Sequence, residues 1–359
     1  MVAEWGFHRC FNALINVTTV STFPFDMRAL GRGCNTTNPI NRYSKCCSGK
    51  IMNKDNKREM KDIFPVLLMG GLFVLIHGLA LLVIRPYEAA EMFIFDNPSD
   101  PMNLVYFFLT LLLFTVAILL ISKFWKKQLV QGIILGATGY FAFYVLYPLF
   151  ATVVSEVSSL CFSIAAVAIL VIMLVKRPEW YVIDICGILT GSGAIAMLSI
   201  SLSIFLVIVL LIGLAIYDAI SVYKTKHMID LADIVLDLKL PVILVVPKTR
   251  KYSLIKETES LKEKLKDGEE RDAFFTGLGD FVMPGILVAS AFHNITGNGL
   301  LISLSIMLGT LFGFTVLMTL VIKGKPQAGL PYLCSGAILG YLVSSYLLFG
   351  AFVGLTFPF

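Results

Sequence analysis

Apolar stretches of about 20 residues recur along most of this chain, broken by short clusters of charge. That length is what a helix needs to cross a hydrocarbon layer of roughly 30 Å. Lipid offers no water to backbone amides, so only helices and closed barrels can cross it. Here the stretches are continuously apolar and do not alternate residue by residue, which points to helices. With 57% hydrophobic and 15% charged residues in 359, the chain reads as an all-α polytopic membrane protein, and a soluble fold is excluded.

Nine spans are predicted, at 63–84, 103–122, 129–151, 156–175, 181–200, 202–223, 276–293, 299–322 and 330–354. Two pairs run almost together: 129–175 holds only Glu156 as a charge, and 181–223 only Asp184 and Asp218. Each is too long for one helix and fits a hairpin. Of the 29 Lys and Arg, all but Arg85 fall on one side if the count is nine and the N-terminus is cytoplasmic. The C-terminus is then outside. The net charge of +5 is thereby accounted for by topology, and no nucleic-acid partner is expected.

Residues 1–60 differ in kind, being polar, basic and rich in Asn, and read as a disordered cytoplasmic tail ahead of a nine-helix domain at 61–359. Met52 and Met60 are alternative starts, and no cleavable signal peptide precedes the first span. His8 with Cys10, Cys34, Cys46 and Cys47 matches no ligand spacing, so neither metal nor cofactor is expected. Cys161, Cys186 and Cys334 lie at membrane depth and read as small packing residues.

A charge inside a span costs about 2.5 to 3.5 kcal/mol even on a lenient insertion scale. His77, Asp184, Asp218 and Asp280 therefore each ask for a reason. Asp218 lies about six residues before Lys224, roughly 9 Å deep at 1.5 Å per residue. Asp280 enters the following span from the same side at a similar depth, so the two carboxyls can face each other. A close carboxyl pair shares one proton, with one member as acid and the other as base, which suits the attack of water on a peptide carbonyl. Gly277 and Gly279 leave bare backbone beside Asp280. On spacing alone, two unrelated buried acids fit as well. Asp184 lies near Lys176 and Arg177 and reads as an interface residue, while His77 reads as a hydrogen-bonded core histidine. Asn294-Ile-Thr296 fits a glycosylation sequon.

Tyr217-Asp218 on one span, Gly277-Leu278-Gly279-Asp280 on the next and Gly329-Leu330-Pro331 at the start of the last resemble the presenilin and signal peptide peptidase family of intramembrane aspartyl proteases. The resemblance covers roughly 63–354. It implies Asp218 and Asp280 as the catalytic aspartates, with Tyr217, Gly277, Leu278, Gly279, Gly329, Leu330 and Pro331 supporting them. The family's third motif is usually Pro-Ala-Leu, so Ala328-Gly329-Leu330-Pro331 departs from it at the first proline. The N-in orientation resembles presenilins, and the short loops resemble compact archaeal homologues that work in the cell membrane without accessory subunits, as single chains or homo-oligomers. The implied activity is endoproteolysis of transmembrane proteins or peptides within the bilayer. The rival readings are a proton- or cation-coupled transporter using the same aspartates, a prepilin-peptidase-like protease and a non-catalytic scaffold.

The loop at 224–273 has three parts. Lys224 to Lys239 is amphipathic and continues span six as a surface helix. Val242, Ile243, Leu244, Val245 and Val246, bracketed by Pro241 and Pro247, read as a short strand. Lys248 to Arg271 is charged and expected to be mobile. A helical peptide bond is closed to attack, so such a strand could hold substrate extended by adding it to a sheet edge. The alternative is that it packs under the membrane domain.

Overall fold

Apolar windows become helices, and polar or glycine-rich junctions become their ends. The computed structural model describes residues 51–124, 127–177, 179–224, 243–247, 273–322 and 327–355. Among these, nine helices form: α1 (Ile51–Ala89), α2 (Met102–Phe124), α3 (Lys127–Ala151), α4 (Glu156–Lys176), α5 (Trp180–Ser201), α6 (Ile204–Lys224), α7 (Leu278–Asn294), α8 (Gly299–Ile322) and α9 (Gly329–Phe349). Each coincides with one expected span. Six of them, α1, α4, α5, α6, α8 and α9, are long and apolar enough to cross a membrane.

The differences lie at the ends. Helix α1 starts at Ile51, ahead of the expected span, through a run of Lys, Glu, Met and Arg that are good helix formers. Helix α9 stops at Phe349 because Gly350 takes a left-handed conformation, φ 66°, and returns its N–H to the Tyr346 carbonyl. The last span begins and ends as a helix of 21 residues rather than running to 354. Residues 1–50, Val242, the amphipathic stretch beyond Lys224 and the charged stretch Lys248 to Arg271 lie outside the described residues.

A two-stranded antiparallel sheet interrupts the helical order between α6 and α7. Strand β1 (Ile243–Pro247) pairs with β2 (Ala273–Gly277) in the register Ile243 to Gly277 and Pro247 to Ala273. All five β1 residues are buried. Leu244 and Val246 join the main core, whereas Ile243 and Val245 join a second cluster with Val182, Ile183 and Cys186 of α5. Opposite faces of one strand thus fill two clusters, as a period of two requires.

Helix α7 is the axis of the bundle, touching α1, α5, α6, α8 and α9. Helices α8 and α9 pack backbone to backbone through Gly309 and Gly313 on one side and Gly336 and Gly340 on the other. A Cβ on Gly309 would fall 2.3 Å from the Gly336 carbonyl oxygen, and one on Gly336 would fall 2.3 Å from that of Gly309. Two small-xxx-small pairs facing each other let helices approach this closely, gaining dispersion contact where lipid supplies no hydrophobic drive. At the end remote from the sheet, the loop after α1 packs over the α5 to α6 turn. There the Ile94 N–H donates to Ser201 Oγ at 2.8 Å, and the Ser203 N–H to the Pro98 carbonyl at 2.9 Å.

Candidate active site

The buried stripe of α6 runs through Val207, Leu210, Leu211 and Leu214 and ends on Asp218, while Ile216, Tyr217 and Ile220 face outward. The 3.6-residue period therefore carries Asp218 into the bundle, where it is 1% exposed, on the same face as leucines. Tyr217, its neighbour in sequence, is more than half exposed and points away.

Asp280 is placed by a strand-to-helix junction with no spacer. Gly277 ends β2 and is also the N-cap of α7, so Asp280 stands in the first helical turn, 4% exposed. Leu278 between them is fully buried against α5, where Gly191 would place a Cβ 3.0 Å from its Cδ1. Gly187, one turn earlier on the same helix, gives Leu244 of β1 the same room. The Gly187 and Gly191 pair seats strand and helix together, a role that their i, i+4 spacing signals and that the reading of the aspartate motifs alone passed over.

Helix α9 closes the site. Its N-cap, Ala328, has no side chain that can cap, and Pro331 has no N–H. The orphan N–H of Leu330 is satisfied instead by Asp218, whose Oδ2 accepts it at 3.1 Å. An aspartate oxygen on the second N–H of a helix is an N-cap supplied from another element, and the helix dipole adds to the attraction. The Gly329-Leu330-Pro331 motif is thereby tied to Asp218 through the Leu330 backbone rather than through a side chain. Gly329 and Leu330 are buried, and Pro331 is partly so.

The carboxyls of Asp218 and Asp280 are close enough for the charge of one to act on the other. Both also act on the Cys334 thiol, one turn into α9 and 1% exposed. Cys334 itself packs in the main core, as expected of a small packing residue. Among the described residues no group of three His, Cys, Asp or Glu could hold a metal ion.

Three other polar residues singled out by the sequence also find partners. Asp184 is buried and accepts the Val245 N–H of β1 on Oδ1 at 2.8 Å, in place of an interface pairing with Lys176 or Arg177. His77 of α1 donates from Nε2 to the Phe281 carbonyl at 2.9 Å. The amide nitrogen of Asn294 donates to the Ser290 carbonyl at 2.9 Å at the end of α7, so the sequon asparagine is engaged internally. Sequence flags Asp184 and His77 as needing partners but does not say which, and reads Asn294 only as part of a sequon.

A helical membrane bundle with two acids buried together at a strand-helix junction defines a class, that of polytopic proteins built around an internal carboxyl pair. The family model described as signal-peptide peptidase, presenilin aspartyl protease matches residues 70–351. Two solved structures, each of a presenilin family intramembrane aspartate protease, match at a TM-score of 0.59. The one in space group C222 is 30% identical and is covered over 99% of its length by 80% of this chain. The one in space group P2 is 32% identical, with 78% of this chain covering 97% of it. No curated protein matches. The chain belongs to the signal-peptide peptidase and presenilin family of aspartyl proteases, and is an intramembrane aspartic endopeptidase.

Proposed function

We propose that Asp218 and Asp280 are the catalytic pair and that the chain hydrolyses peptide bonds in or near transmembrane segments of other membrane proteins. The observation that carries this reading is the burial of both carboxyls within reach of each other's charge, at the point where β2, α7 and α9 begin or end. In such surroundings the pair holds one proton. The ionised member takes a proton from water as its oxygen attacks the carbonyl carbon, and the protonated member donates to the carbonyl oxygen. The tetrahedral gem-diol then collapses. The protonated carboxyl gives its proton to the amide nitrogen while the ionised one takes a proton from a gem-diol hydroxyl, the C–N bond breaks, and a carboxylic acid and an amine leave with the pair again holding one proton.

The β-hairpin presents the substrate. In an antiparallel ladder, residues alternate between exchanging bonds with the partner and facing away. The Val245 N–H is given to Asp184, so the outer edge of β1 is occupied there. Residue 275, opposite Val245 in the register, faces away from β1 in turn. The outward edge of β2 is then the one left to receive an extended chain, and it leads through Gly277 straight to Asp280. Ile243, Leu244, Val245 and Val246 serve as the buried backing of that edge rather than as the edge itself. The placement of Lys and Arg supports nine crossings by α1 to α9 with the N-terminus cytoplasmic.

Cleavage of a transmembrane peptide in detergent by the purified protein, set beside Asp218→Asn and Asp280→Asn, tests the reading. Cutting by wild type and silence from both variants supports it. Wild-type turnover from either variant removes the pair, and proton-coupled uptake in liposomes becomes the assay of choice.

A further inference from the structure

The first turn of α7 carries Asp280, yet it is weakly held by its own helix. Pro284 lies inside α7 and has no N–H, so the Asp280 carbonyl lacks its i+4 donor. The bond lost is the one that would join the Asp280 turn to the next. Helix α1 grips α7 at this point. His77, 2% exposed, donates from Nε2 to the carbonyl of Phe281, the residue after Asp280. A carbonyl only accepts, so the ring proton is on Nε2. Phe73, one turn before His77, stacks on the Phe281 ring with centroids 4.0 Å apart and meets the His77 ring edge-on at 5.9 Å. Gly285 makes room, since a Cβ there would lie 2.9 Å from His77 Nε2 and 2.6 Å from Ile195 Cδ1.

We propose that His77 is a positioning residue for Asp280. Its bond to Phe281, with Phe73 on the ring, sets the rotation and height of the α7 turn that Pro284 has left without its own tie. This rests on Asp280 being catalytic. Misplacing a reacting group by about 1 Å can cost on the order of a hundredfold in rate, so the effect belongs in kcat, with substrate affinity largely kept.

The test is a pair of amides. Gln at this position carries its N–H₂ close to where Nε2 stands, whereas Asn is one methylene too short. In the transmembrane-peptide assay, His77→Asn is expected to lower kcat by about ten- to a hundredfold with KM within about twofold, and His77→Gln to keep most of wild-type kcat. Thermal unfolding of both in detergent separates folding from turnover. Equal kcat for the Gln and Asn variants overturns the proposal, as does a loss confined to KM. If neither variant folds, the bond serves stability alone, and the proposal fails. Asp280→Asn run alongside keeps the two readings apart: if it still cuts, Asp280 is not catalytic, whatever His77 does.

Discussion

Helices α4 and α7 are both strongly apolar, and hydropathy alone ranks α4 as the better membrane span. Their surroundings are opposite. Of the 21 residues of α4 only Ser159, Ser163 and Leu174 are buried, whereas α7, with 17 residues, is buried without a break from Leu278 to Ala291. One is exposed along most of its length and the other is enclosed by protein. A helix in lipid must be long and uniformly apolar, because nothing else satisfies polar groups there. A helix inside a bundle can be short, hold a carboxyl, and lose a backbone bond to Pro284, because neighbours make up the difference. The carboxyl proposed for the chemistry, Asp280, can sit on the enclosed helix for that reason.

Substitutions at five positions sharpen or break this contrast. The largest effect belongs to Asp280→Asn and Asp218→Asn, each expected to cut peptide cleavage by about a thousandfold or more, or at least about 4 kcal/mol of barrier, with folding intact by thermal melt. A folded variant with measurable wild-type turnover breaks the link between enclosure and catalysis. Gly336→Val forces a Cβ toward a carbonyl oxygen 2.3 Å away, at the α8 to α9 contact. It is expected to cost about 3 kcal/mol or more, seen as a large fall in detergent Tm or failure to fold. An unchanged Tm means that the close approach is not needed.

Asp184→Ala leaves the Val245 N–H buried without its acceptor, at about 1 to 3 kcal/mol. Lower Tm and a raised KM for transmembrane peptide are expected, while Asp184→Asn, which keeps an acceptor oxygen, stays near wild type. Equal behaviour of the two shows that the β1 edge needs no cap. Ile169→Ala, on the exposed face of α4, should change stability by less than about 0.5 kcal/mol. A larger loss places protein, not lipid, against that face.

Much of the site was legible because membrane burial makes polar residues conspicuous. His77, Asp184, Asp218 and Asp280 stood out by cost, depth counting brought Asp218 and Asp280 to one level, and the family resemblance singled out that pair. The strand at 243–247 was legible from its β-branched run between prolines. Its partner was not, since Ala273 to Gly277 looks like the start of an apolar helix and became β2 only by pairing with β1. Asp184 has a structural role, as expected, but its partner was not legible for a related reason. Its partner lies 61 residues away, and the nearby Lys176 and Arg177 were the only partners that linear distance could offer. The α8 to α9 glycines carry a readable i, i+4 spacing, but which helix they meet is a matter of packing.

The amino-acid sequence by itself determined the helical class, the nine segments and the identity of the buried acids, because each follows from local free energies of transfer and hydrogen bonding summed over one helix. Only the tertiary structure decided that Asp218 caps α9 at Leu330, that Asp184 holds β1 and that His77 bonds the Phe281 carbonyl beside Asp280. Those are bonds between single groups far apart in the chain. Their partners are chosen by how the helices pack, and no period or propensity along the sequence encodes that choice.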